Sequence, residues 1–276
     1  MTFRIKQDTS FTDLLKHNLA AKYRPKRRNS QSAIHVSDIL PSSCLRRQYY
    51  RRKSAGEEEE EITDESVHHF VRGEASEHVI TKLANIGVAQ AEVEMGGLIA
   101  HPDILAKGKV VVELKDTANG KRLDIADDQF RAYLRLLLYY LVMTETTSGI
   151  LCIRYNTKEL NWYKRDSEQN DHYLRPHNAK NVGIESWQIS LSMDDPLRGK
   201  LKEEMIKRKE LFQTALRNDD VSMLPRLTGH AKILKCRTCP SNTQCRNQDH
   251  ETLDAIKLRA EEDLVDTFMT QIKEVA

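Results

Sequence analysis

Three side chains in the stretch IAHPDILAKGKVVVELKDT have types and spacing suited to chemistry: Asp103, Glu113 and Lys115. Glu113 and Lys115 are two apart in a run that reads as a strand, and that spacing puts both on one face. Asp103 closes the preceding strand, and a turn through Lys107-Gly108 folds it back beside them. Two carboxylates meeting at a point, with an ammonium alongside, form a site for a divalent cation and a water oriented by the ammonium. Hard oxygen ligands suit Mg²⁺ or Mn²⁺. By spacing alone, an Asp in a turn and a Glu/Lys pair on a solvated strand would look the same. The run VVVELK argues for the site. It is almost wholly apolar and reads as a buried central strand, where a Glu and a Lys are costly unless they pair or bind something.

A second set of residues is CRTCPSNTQC, which places Cys236, Cys239 and Cys245 within ten residues. Three thiols are one short of a metal site. The chain has five cysteines, and Cys44 and Cys152 are the remaining ones. Tetrahedral zinc and a cubane iron–sulfur cluster both take four thiolates. Cys152 sits in the apolar run GILCIRY, where a small buried cysteine is ordinary.

The elements that must position these residues follow from periodicity. FTDLLKHNLAAKY reads as a short helix followed by a basic linker. HVSDIL begins a second helix, with Ser37 as its cap. From Asp64 to Asn85, Val67, Phe70, Val71, Val79, Ile80 and Leu83 recur at helical spacing. AEVEMGGLIAHPDIL then alternates around a Gly-Gly break and reads as two strands joined by a tight turn. KGKVVVELKDT is a third strand. The segment from Ala126 to Thr144 is a helix apolar on most of its circumference, so it should lie buried across the sheet. SGILCIRYN and ELNWYKR read as a strand pair, ESWQISL as another strand, and DPLRGKLKEEMIKRKELFQTALRN as a helix ending near Asp219. A charged helix, DHETLDAIKLRAEEDLVDTFMTQIKEV, closes the chain. This order predicts an α/β (α+β) domain with a mixed sheet. No repeat and no G-x-x-x-x-G-K-[ST] phosphate loop is present, which excludes a nucleotide-driven motor of that type.

Of the 276 residues, 39% are apolar and 30% charged, enough for a core beneath a wet surface. The net charge of +2 hides blocks: AKYRPKRR at 21–28, LRRQYYRRK at 45–53, and five glutamates at 57–61. Basic blocks suit a polyanionic partner. Arg46, Arg47, Arg51, Arg52 and Lys53 surround Tyr49 and Tyr50, and cations interleaved with rings suit single-stranded nucleic acid. A helix face packed over the core would have the same composition. MTFRIKQDTS lacks an apolar signal region, and no apolar run reaches the roughly 18 residues of a membrane span. An odd number of cysteines without a signal fits a reducing compartment. The expectation is a soluble cytoplasmic protein with no membrane partner.

Taken together these residues resemble the PD-(D/E)XK nucleases, and within them the RecB-like branch. Asp103…Glu113-Leu114-Lys115 stands where that motif stands. Upstream, RGEASEH supplies Gly73 and His78 in the manner of the branch's G…H helix. Downstream, QFRAY supplies Gln129 and Tyr133 as its Q-x-x-x-Y. Iron–sulfur members carry one cysteine before the core and C-x2-C-x5-C after it, matching Cys44 and Cys236, Cys239 and Cys245. The likeness spans about residues 35 to 250. It is strongest to the CRISPR-associated Cas-four exonucleases and their stand-alone relatives, and more distant to the AddB nuclease domain. Leu45 stands where the family often has Pro, and the 57–61 run and the final helix lie outside the pattern.

The resemblance implies a restriction-endonuclease-like mixed sheet flanked by helices, with a helical iron–sulfur subdomain built from both chain ends. The segments are then 1–62 with the first cysteine, 63–195 as nuclease core, and 196–276 with the final helices and cysteines. It implies a divalent-metal-dependent DNA exonuclease acting on single strands, in CRISPR spacer acquisition or in repair. The metal ligands would be His78, Asp103, Glu113 and the Leu114 carbonyl. Imidazole favours Mn²⁺ over Mg²⁺, and His68, His69 and His101 compete with His78. Lys115 would orient the water, with Gln129 and Tyr133 bracing it or the phosphate. Cys44, Cys236, Cys239 and Cys245 would hold a [4Fe–4S] cluster. Bridging roughly 190 residues, such a link would remove about 5 kcal/mol of unfolded-chain entropy if it acted like a disulfide. The implied partners are DNA with single-stranded ends and CRISPR integration proteins, with oligomerisation left open. A non-catalytic module of the same fold, handing DNA ends to a partner, is the alternative. A zinc-binding regulator is a third, but it leaves Asp103, Glu113 and Lys115 unexplained.

Overall fold

In the computed structural model, residues 9–23, 31–54, 64–84, 87–117, 123–155, 163–165, 171–173, 184–227, 235–237, 239–248 and 250–270 are described. The glutamate run 57–61, most of the basic linker and the end of the last helix lie outside them. Helix α1 (Thr9–Tyr23) leads to strand β1 (Ile34–His35) and to α2 (Val36–Ile39) and α3 (Leu45–Lys53). Helix α4 (Asp64–Ala84) precedes four short strands: β2 (Gly87–Ala89), β3 (Val93–Met95), β4 (Leu98–Ala100) and β5 (Ile104–Ala106). Then come β6 (Val110–Thr117), α5 (Asp128–Met143), β7 (Ser148–Tyr155), β8 (Tyr163–Arg165), β9 (Asp171–Tyr173) and β10 (Ile184–Ser190). Helices α6 (Pro196–Asn218), α7 (Asn242–Asn247) and α8 (Leu253–Thr270) complete the described chain.

The class is mixed α+β, as the alternation of periods predicts. The main sheet has the order β10-β7-β6-β5-β2. The β6–β7 pair is parallel and its other pairs are antiparallel. A parallel pair needs a crossover, and α5 supplies it. Helix α5 packs on both β6 and β7. It buries Phe130 and an unbroken run from Leu134 to Met143. Gly149 of β7 lets α5 come close, since a Cβ there would meet the Leu137 side chain at 3.0 Å. A smaller sheet has the order β1-β4-β3. Its β3–β4 hairpin turns through Gly96 and Gly97 at φ 57° and 75°, the left-handed pair that a two-residue hairpin turn requires.

Three sequence expectations change. Ser37 lies inside α2, and His35 occupies the capping position while its backbone N–H donates to Asp38 Oδ2. Only 163–165 of ELNWYKR lie within the described residues, and these do not pair with β7. Its described part, β8, pairs with β9, and β10 is the antiparallel neighbour of β7. The basic stretch 45–53 is largely a packing face. Arg46 and Arg52 are 0% and 4% exposed and Tyr49 is 5% exposed.

These buried cations are anchored on backbone carbonyls from distant segments. Arg46 donates to Leu224 O at 2.9 Å, Gln248 O at 2.9 Å and His250 O at 3.0 Å. Arg52 reaches Ser32 O, Ala33 O and Asp38. From α6, Arg208 holds Ile39 O, Leu40 O and Ser43 O and pairs with Glu262 of α8. Arg198 donates to Leu141 O at the end of α5, and to Thr146 O and Leu191 O, satisfying carbonyls that a helix terminus leaves open. Among the described residues no helix is long and apolar enough to cross a membrane.

Removing one member of a buried ion pair strands its partner and costs about 3–5 kcal/mol. Arg208→Met should therefore lower the unfolding free energy by about that amount in urea titrations. Arg51→Met, at an exposed position of the same basic region, should stay within about 0.5 kcal/mol of the parent.

Candidate active site

Asp103 immediately precedes β5, and β6 carries Glu113 and Lys115. The β5–β6 register runs Ala106 to Val110, Leu105 to Val111 and Ile104 to Val112. Extending it by one residue sets Asp103 opposite Glu113. The carboxylate of Asp103 is fixed there by the Leu114 backbone N–H, which donates to Oδ2 at 2.7 Å. Glu113 and Lys115 share a face, as their spacing predicts, and form an ion pair.

Glu113 is 1% exposed. Burial pushes its carboxyl up to about 8; Lys115 draws it down and Asp103 adds to the rise. One oxygen pairs with Lys115, while the buried Oε2 meets no donor among the described residues and has Asp103 as its neighbour. An orphaned carboxylate oxygen at the core is costly, and a cation beside Asp103 would satisfy it. Burial also works against the charge on Lys115, but Glu113 and Asp103 outweigh it and its pKa is raised.

Helix α5 supplies a stripe of phenols along this site. Lys115 Nζ lies 5.7 Å from the Tyr133 ring centroid, within the reach of a cation–π contact. Gln129 donates to Tyr133 Oη at 2.5 Å. The Q-x-x-x-Y pair is thus brought to the lysine, with Gln129 acting behind Tyr133. Two turns further along the helix, buried Tyr140 also feels the site: burial, then Glu113 and Asp103, raise its pKa.

The G…H helix contributes differently from expectation. Glu77 of α4 is the residue tied to the carboxylates. Gln90 bridges the two, donating to Glu77 Oε1 at 2.5 Å and to Asp103 Oδ1 at 3.3 Å. The Glu77 carboxyl is raised by burial and then by Asp103. Gln90 takes φ 49°, a left-handed conformation unusual outside glycine and frequent at functional sites. Nothing in GVAQAEV signals it. Glu77 was visible as a neighbour of His78 but carried no motif weight. His78 is exposed on α4, as are His68 and His69. His101 stacks on His35 with centroids 5.4 Å apart. As the side chains stand, no group of three His, Cys, Asp or Glu among the described residues is arranged to hold a metal ion.

The thiols gather at a second place. Cys44 precedes α3, Cys236 and Cys239 precede α7, and Cys245 lies in α7. Cys239 N–H donates to Cys236 O at 3.3 Å and Cys245 N–H to Ser241 O at 2.9 Å, which folds the segment tightly. The Cys44 thiol is pushed up by burial and then by Cys245 and Cys236. Cys239 is likewise raised by burial, then by Cys236 and Cys245. Arg46, which donates to Gln248 O and His250 O, brings the start of α3 to the segment that carries Cys236, Cys239 and Cys245. Lys235 ties them further by donating to Ser42 O. Cys152 is buried in β7 and interacts with Ser186, apart from that group.

No protein-family model matches this chain, and no curated protein does. Solved structures give weak likenesses. SSO0001 aligns at 17% identity and TM-score 0.48, over 86% of this chain and 96% of that one. A phage-related exonuclease from Haemophilus somnus 129PT aligns at 12% and 0.44, over 73% and 100%. The alkaline exonuclease LHK-Exo from Laribacter hongkongensis aligns at 11% and 0.41, over 74% and 93%. At these values the likenesses carry no argument about activity.

Residues in contact within one polar network couple by about 0.5–3 kcal/mol. A double-mutant cycle on Glu113→Gln and Lys115→Met, read by urea unfolding, should return a coupling in that range. A value of zero would break the pairing described here.

Proposed function

We propose that this chain is a divalent-metal-dependent DNA nuclease. The observation that carries the reading is the buried Glu113 carboxylate: one oxygen is held by Lys115, the other lacks a partner, and Asp103 stands opposite. Asp103 and Glu113 would hold the ion, with the Leu114 carbonyl and His78 added by the resemblance. Glu77 is the carboxylate that the structure adds nearby. When bound, the ion supplies an acidified water and a polarised phosphoryl oxygen.

The protein's own groups do the rest. Lys115 donates to the attacking water and fixes its direction. Its pairing with Glu113 keeps the ammonium charged in a buried place. Tyr133 limits where the ammonium can go, and Gln129 fixes Tyr133. Leu114 N–H holds Asp103, so the carboxylate spends no entropy on orientation when substrate arrives.

The finer reading is a cytoplasmic exonuclease on single-stranded DNA or single-stranded ends, acting in CRISPR spacer acquisition or repair, with Mn²⁺ or Mg²⁺. The division into an N-terminal segment to 62, a core of 63–195 and a final segment from 196 belongs to the same reading. The four gathered thiols suit a [4Fe–4S] cluster, which needs four thiolates. Its role here is to fasten the chain ends and leave the reaction to the sheet.

Asp103→Ala, Glu113→Ala and Lys115→Ala should each reduce cleavage of end-labelled single strands by about 10²–10³ or more, and EDTA should abolish it. Variants that cut as well as the parent would sink the site assignment. DNA binding without metal-dependent turnover in the parent would support the module that hands on DNA ends instead. Cys44→Ser should lose the iron and inorganic sulfide of the purified parent; stoichiometric zinc in the parent would sink the cluster.

A further inference from the structure

Helix α4 runs past the carboxylates and carries a gap in its surface. Glycine is the poorest helix former after proline, and inside a helix it serves where another backbone or a ligand must come close. Gly73 stands in the middle of α4, and no packing within the described residues accounts for it. A Cβ there would meet no atom within 4 Å outside its own helix backbone and chain neighbours. Glu77 comes four residues later, so it shares a face with the gap. Glu77 is also the carboxylate joined to Asp103 through Gln90. The gap therefore opens beside the candidate active site.

The same face carries a ring one turn earlier. Phe70, three residues before Gly73, is 50% exposed. Tyr23 of α1 stacks on one side of it, with centroids 5.9 Å apart and planes inclined by 11°, which holds the ring in place. Arg72 flanks the gap, and its Nε donates to Asp116 Oδ1 at 3.0 Å. Arg154 of β7 comes to the same carboxylate at 3.8 Å. Two guanidinium groups around one carboxylate leave that group net positive, one residue beyond Lys115, which suits an anionic ligand. A π-face for a base, room for a backbone and cations for phosphate are what a single nucleic-acid strand requires.

We propose that a single DNA strand reaches the carboxylates across α4, with its sugar–phosphate backbone over Gly73 and a base against Phe70. Arg72 and Arg154 supply the positive charge at the edge of this track. The inference rests on the nuclease reading given above, and it names the surface by which that site receives its substrate.

Binding of a short fluorescein-labelled single strand to the full chain is followed by anisotropy, with EDTA present so that nothing is cut. Gly73→Leu fills the gap and should weaken binding about tenfold. Phe70→Leu removes the ring and should weaken it about tenfold as well, within what stacking of one base contributes. Gly199→Leu fills an equally open glycine position on α6 and should bind like the parent. Both glycine substitutions should hold or raise the urea midpoint, because leucine is the better helix former; weaker binding without lost stability is then a blocked surface. Phe70→Leu, at an exposed position, carries the test should Gly73→Leu fail to fold. Parent-like binding in folded Gly73→Leu and Phe70→Leu overturns this inference and leaves the nuclease reading standing. Equal weakening in Gly199→Leu also overturns it. A parent that binds through Gly73 and Phe70 but cuts nothing with Mn²⁺ overturns the nuclease reading and supports the track, and a parent that binds no strand overturns both.

Discussion

A guanidinium withdrawn from water must find acceptors for its N–H groups, and Arg46, Arg52, Arg198 and Arg208 find them on backbone carbonyls. Arg46 grips carbonyls at 224, 248 and 250, and Arg208 grips carbonyls at 39, 40 and 43. The gripped stretches flank the four cysteines on both sides. Loops carry backbone groups that burial would otherwise leave unmet. The arginines meet them and, in doing so, bring the start of α3 to the segments on either side of Cys236, Cys239 and Cys245.

The carboxylate site depends on a different constraint, the pairing of β5 with β6. That register fixes Asp103 against Glu113 within hydrogen-bond reach of the Leu114 amide. Helix α5 then closes one side with Tyr133 and Tyr140, and α4 closes another with Glu77. The site concentrates three carboxylates and one ammonium around the buried strand β6, an arrangement that costs stability. Left-handed Gln90, between Glu77 and Asp103, is part of the same cost.

What could be read from the sequence was whatever depends on local period and on side-chain type. VVVELK announces a buried strand, and LRLLLYYLVM announces a helix buried nearly all round. The two-residue spacing of Glu113 and Lys115 gives their shared face directly. What could not be read was set by partners far along the chain. Arg46 and Arg52 look like a surface block because composition does not reveal that acceptors up to 204 residues away draw them inside. Glu77 and Gln90 meet Asp103 only once β2 has paired with β5, and the three residues of β2 are too few to show a period. His35 caps α2 with the help of Asp38, against the preference that favoured Ser37.

The distance between Arg46 and its acceptors has a consequence for how the molecule is made. The main sheet and the helices that line the carboxylates end at Ser190, so they leave the ribosome ahead of the last acceptors of Arg46. Arg46, made near the beginning, meets its final acceptor only when residue 250 has emerged. Until then α3 waits with a solvated cation on the side destined for the core. The closing of the Arg46 contacts is thus a late event in biogenesis, possible only once residue 250 has been made.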